Sequence, residues 1–210
     1  MQIRLAVALT VVIVASGFAC KHHDQTRSPA SQPPIDYESE QHAIVSAVIR
    51  EMYATGPTRN VVIQNPDPCP TPEATPDPDV EELRQRMETN AFKRLPDVVP
   101  DTMTDFQTRK KECHPLARKL DVSVEYALLG QKDLELLFPK NGDYKKFYAK
   151  YPQSSGTINF SNPGFNRDYT QAVVSTGRFC GLRCGEGYFV LLTKDGGVWK
   201  IKTKVDTWIS

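Results

Sequence analysis

The chain has 210 residues, with 26 Lys+Arg against 25 Asp+Glu and a formal net charge of +1. That balance gives no electrostatic reason to expect nucleic acid as a partner. The length allows one domain with a good core, or one domain carrying a long insertion.

In chain order, the leader comes first. Arg4 supplies a positive start, and Leu5 to Ala15 are almost wholly apolar. This fits a secretory apolar region and falls short of the roughly 20 residues that cross a bilayer. Small residues follow (Ala15, Ser16, Gly17, Ala19), then Cys20. A small residue and a cysteine directly after an apolar run resemble the lipobox of bacterial lipoproteins. In that family the cysteine carries a diacylglycerol, cleavage precedes it, and the new amine is acylated. Gly17 stands where leucine is usual, and Gly17-Phe18-Ala19 also fits ordinary signal cleavage. Residues 1–19 are therefore expected to be a signal peptide and Cys20 the lipid attachment site. A freely secreted chain and an uncleaved anchor are the alternatives. The expected location is the extracytoplasmic side of a membrane, periplasmic or at the cell surface, with the membrane as partner through acyl chains at Cys20. Residues 20–34 read as a polar tether. His22 and His23 within it read as solvated rather than metal-binding, and no metal or cofactor is expected.

Four cysteines remain: Cys69, Cys113, Cys180 and Cys184. An even count in an exported chain predicts disulfides, here Cys180–Cys184 and Cys69–Cys113. The rival for Cys180 and Cys184 is redox chemistry, although their spacing is not C-x-x-C. Zinc would need further ligands, and the last histidine is His114.

The folded part is expected to be a single α+β domain over residues 35–210, with N-terminal helices packed on a C-terminal antiparallel β-meander of about four strands. Ile35 to Ala54 reads as a helix, with Tyr37, Ile44, Val45, Val48, Ile49 and Met52 on one stripe and His42 beside it. Val61 to Ile63 is a strand. Residues 65–79 hold six prolines in fifteen positions and read as an insertion. Val80 to Leu95 is a second helix, with Asp79 as cap, Leu83, Met87 and Phe92 inward, and Pro96 and Pro100 ending it. Thr104 to Cys113 is a third, capped by Thr104. Val122 to Leu129 is a strand and Lys132 to Phe138 a short helix. Tyr144, Phe147, Tyr148 and Tyr151 fall at helical spacing and predict a core-facing aromatic stripe. Basic runs at Arg109 to Lys111 and at Lys145, Lys146 and Lys150 read as solvated helix faces.

The last third alternates as strands. Ile158 and Phe160 precede an Asn162-Pro163-Gly164 turn. Tyr169 to Phe179 and Gly187 to Thr193 flank a turn over residues 180–185, and Asp195-Gly196 marks a hairpin. In the final strand Trp199, Ile201, Thr203 and Val205 are expected on one face. Lys200, Lys202 and Lys204 should lie on the other, guarding an edge.

Residues 104–210 also resemble a group of uncharacterised bacterial exported proteins. The shared features are a YP-x-S-x-G segment, a GFN turn, a CG-x-x-CG-x-G hairpin and a terminus near W-I-S. The matching positions are Tyr151, Pro152, Gly156, Gly164, Phe165, Asn166, Gln171, Cys180, Gly181, Cys184, Gly185, Gly187, Trp199 and Trp208. The group has no assigned activity, so the resemblance bears on fold and not on mechanism. In outline the meander is also similar to NTF2-like cone folds.

No G-x-S-x-G, phosphate-binding loop, H-E-x-x-H or EF-hand pattern occurs. Among many carboxylates, Glu186 beside the cysteine turn is the first to test for catalysis. The expected function is a non-catalytic binding or interaction domain, possibly meeting another envelope protein as partner. The alternatives are a small-ligand or hydrolytic pocket, or a thiol oxidoreductase using Cys180 and Cys184.

Overall fold

A computed structural model describes residues 36–58, 60–65, 69, 77–117, 119–138 and 144–210. The signal peptide, Cys20, His22, His23 and most of the proline-rich stretch lie outside the described residues.

Helix α1 (Tyr37–Val48) starts where the Asp36 carboxylate accepts the Ser39 N–H at 3.3 Å. It continues as one π-helical turn, Ile49–Tyr53, closed by Ala54 N–H donating to the Ile49 carbonyl at 2.7 Å. Strand β1 (Asn60–Gln64) follows, then α2 (Pro78–Phe92) and α3 (Pro100–Arg109). Strand β2 (Glu125–Leu129), short helices α4 (Gln131–Leu137) and α5 (Lys145–Lys150) and β3 (Ser154–Phe160) come next. The chain ends with β4 (Gly164–Phe165), β5 (Gln171–Gly181), β6 (Cys184–Asp195) and β7 (Val198–Ile209).

The class is α+β, and the seven strands form one sheet in the order β2-β1-β3-β5-β6-β7, with β4 beside β5. Strands β3, β5, β6 and β7 are antiparallel neighbours and form the expected meander. The sheet extends beyond them, because β1 runs parallel to both β2 and β3. The local apolar pattern of β1 specified a strand but not its partners, since parallel neighbours need distant crossovers.

The sheet is covered on both faces. On one, α1 packs Ile44, Val45 and Val48 against Val61, Ile63, Val174, Val190 and Leu192. On the other, Ala91, Phe92, Leu95 and Phe106 meet Val173, Phe189 and Leu191. There Phe92 stacks on Phe189 with ring centroids 4.1 Å apart, and Phe106 meets both edge-on. The aromatic stripe of α5 is core-facing, with Phe147 packed among Val62, Leu129 and Leu137.

Four local expectations need correction. Pro100 does not end a helix but opens α3 at its first turn, where its missing N–H costs nothing; Thr104 therefore lies inside α3 and does not cap it. Helix α2 is capped by Asp77 rather than Asp79. Leu83 and Met87 are 56% and 45% exposed instead of inward, because α2 docks only through its last turn, at Ala91 and Phe92. Finally, β7 carries a register shift opposite Leu191/Leu192. An inserted residue reverses the facing of everything beyond it. Ile201 therefore packs on the α1 side and Val205 on the α2 side. The three lysines do not share a face: Lys202 pairs with Asp97 at 2.9 Å, while Lys204 lies 4.3 Å from the Tyr188 ring centre. β7 is nonetheless an edge strand, as expected.

Candidate functional site

Strands β1 and β3 are parallel neighbours, and a cleft of about 400 Å³ lies at their C-terminal ends. The chain leaving β1 leads to β2 on one side, and the chain leaving β3 leads to β4 and β5 on the other. Carboxyl ends of parallel strands whose connections diverge are where such sheets leave room for ligands. Val45, Ile63, Leu116 and Phe160 give the cleft apolar walls, and the segment after α3 forms its rim.

That segment is held by side-chain amides. The buried Asn162 (5% exposed) donates to the Arg109 carbonyl at 3.2 Å and to the Glu112 carbonyl at 2.8 Å. Gln41, 4% exposed on α1, donates to the His114 carbonyl and to Asn162 Oδ1 at 3.2 and 3.1 Å. Asn65 holds Leu116 by a reciprocal pair, accepting its N–H at 2.7 Å and donating to its carbonyl at 3.2 Å. Both Nε2 hydrogens of Gln41 are thereby used. Its Oε1 receives no hydrogen bond among the described residues, so a nearly buried acceptor is left at the cleft wall.

The rim carries charge of both signs. His114 Nε2 lies 3.0 Å from Glu112 Oε2, and Lys110 pairs with Glu88 on α2. Beside the cleft, the Arg109 guanidinium sits 4.4 Å from the Tyr37 ring centre and bonds Asp105 at 2.9 Å. Burial pushes the Tyr37 hydroxyl well above the usual phenol range, with Arg109 opposing it.

The structure separates the residues singled out in the sequence. Both disulfides form as expected. Cys69–Cys113 fastens the cleft rim to the segment after β1, and Cys180–Cys184 closes the β5–β6 turn beyond the far end of β3. His42 is buried on α1. Glu186 is tied to Arg178 Nε at 2.9 Å and to the Tyr188 hydroxyl at 2.8 Å. Burial, then that carboxylate, pushes the Tyr188 hydroxyl up to about 12. Among the described residues, no group of three or more His, Cys, Asp and Glu is placed to hold a metal. Sequence reading missed Gln41 and Asn162. A glutamine between Tyr37 and Ile44 on an apolar helix stripe was the available signal.

The residues of the exported-group motifs have framework tasks. A Cβ on Gly164 would lie 2.1 Å from the Phe106 backbone nitrogen, so this glycine lets β4 and α3 touch. Gln171 Oε1 accepts from Val99 N–H at 2.8 Å and from the Thr102 hydroxyl at 3.1 Å, holding the start of α3. Gly177, Gly185 and Gly187 together leave a seat for the Trp208 indole.

No family model, curated protein or solved structure matches this chain.

Proposed function

We propose that this chain is an exported envelope protein, anchored through acyl chains at Cys20, whose folded domain acts by binding rather than catalysis. The β1/β3 cleft is its binding site. The observation that carries the reading is the form of that cleft: apolar walls, one nearly buried free acceptor on Gln41, and amides otherwise committed to holding the rim. Few, fixed polar groups in an apolar concavity suit recognition of a small amphipathic ligand or a short chain segment. The two disulfides accord with an oxidising compartment.

The test has two parts. In cells labelled with radioactive palmitate, wild type should carry label and stay with washed membranes, and Cys20→Ala should do neither. Equal behaviour of both sinks the anchor. Native mass spectrometry of the purified protein should then show a bound small species that is weakened in Gln41→Leu. A species held equally by both proteins would move the binding site elsewhere.

A further inference from the structure

Beyond the far end of β3 from the cleft, the β5–β6 hairpin closes on itself. Gly181 pairs with Cys184, leaving Leu182 and Arg183 as the turn, and the Cys180–Cys184 bridge clamps it. The Tyr148 hydroxyl donates to the Cys180 carbonyl at 3.0 Å, tying the base of the turn to α5. At this rigid tip Leu182 is 82% exposed. The end of β7 lies alongside: Gly185 and Ser210 exchange two backbone hydrogen bonds, and Ile209 is 75% exposed. Behind these two aliphatic side chains sit Phe179 and Trp208, half-buried, with ring centres 5.0 Å apart. The nearest carboxylate, Glu186, is held by Arg178 and Tyr188, so Arg183 gives the tip its charge.

Outermost aliphatics, aromatics just behind them and a cation alongside form the arrangement that favours a bilayer interface. We propose that this tip seats in the headgroup region of the anionic bilayer that holds the acyl chains, which rests on the anchored reading above. The convex shape and the positive charge favour a lipid surface over a small molecule. Two aliphatic side chains hold weakly by themselves; added to an acyl anchor they set orientation, since durable membrane contact is built from combined signals.

Chain length permits both contacts. Glu40, in the first turn of α1, bonds Lys194 and Trp199 at the end of β6 and β7 opposite the tip. Strand β6 has 12 residues, so that end and the tip are separated by roughly 35–40 Å. The stretch from Cys20 to Asp36 has a contour length of about 55 Å at full extension, which exceeds this.

The experiment uses the full acylated protein in vesicles of phosphatidylglycerol and phosphatidylcholine with brominated acyl chains, which quench tryptophan on contact. Leu182→Trp adds an emitter at the tip, and the wild-type spectrum of Trp199 and Trp208 is subtracted. Ile209→Trp is a second reporter should the first fold poorly. The protein should float with the vesicles and the added emission should be largely quenched. Adding Arg183→Glu should restore much of it. Flotation with unquenched emission at both reporters overturns the proposal and turns the tip toward a protein partner. Failure to float overturns the anchored reading and this inference with it.

Discussion

The C-terminal meander and helix α2 lie against each other, yet they are constrained in opposite ways. In β5 and β6 a run of residues from each strand is fully buried, and glycines make room for specific neighbours such as Trp208. Helix α2 touches the same sheet through Ala91 and Phe92, while its middle is a network of ion pairs, Arg84 with Glu81 and Glu88, and Arg86 with Glu82. Exposed helical ion pairs contribute only a few tenths of a kcal/mol each. Leu83 and Met87 are consequently left at the surface, where with Phe189 and Trp208 they line a groove of about 360 Å³. The contrast teaches that an apolar residue at helical spacing marks core only where the helix is pressed down along its length.

Substitutions should sharpen that contrast. The largest effect is expected from Phe106→Ala, which empties a fully buried site between Phe92 and Phe189 and should cost about 3–5 kcal/mol in urea unfolding. Gly187→Ala should cost roughly 1–3 kcal/mol, because its Cβ would sit 2.1 Å from Trp208 Nε1. Most of that cost should vanish when Trp208→Ala is already present; additive losses in the double-mutant cycle would refute the glycine seat.

Tyr53 gives a pH signature. Burial pushes its hydroxyl from 10 up to about 12, and it hydrogen-bonds Thr176 at 3.1 Å. The folded state therefore keeps this proton longer than the unfolded chain does. The contribution is intact below pH 10 and declines as pH rises from 10 toward 12. A two-unit shift corresponds to on the order of 2 kcal/mol. In Tyr53→Phe the fall of Tm across that window should be shallower than in wild type; parallel curves would contradict this. The smallest effect belongs to α2. Leu83→Ser and Met87→Ser should change stability by less than about 0.5 kcal/mol, and a loss of 2 kcal/mol or more would restore them to the core.

Much of the fold was legible where periodicity and turn chemistry agreed. The run from Gly187 to Thr193, the Asp195-Gly196 hairpin and the aromatic spacing of α5 all lead to the observed elements. The β7 bulge was not legible, because Trp199 to Val205 alternates without a break in sequence and the reversal comes from pairing with β6. The cleft was not legible either. It needs Gln41, Asn65 and Asn162 brought together, and their grouping depends on parallel pairing that no local pattern encodes. The disulfides were readable because Cys180 and Cys184 are close in sequence and left Cys69 and Cys113 as a pair.

Intact-mass and N-terminal peptide analysis of the protein extracted from its native membrane tests the central claim most directly. The account predicts a chain beginning at Cys20, with a diacylglyceryl group on the thiol and an acyl group on the amine. A chain beginning at an unmodified Cys20, or one retaining residues 1–19, would contradict it.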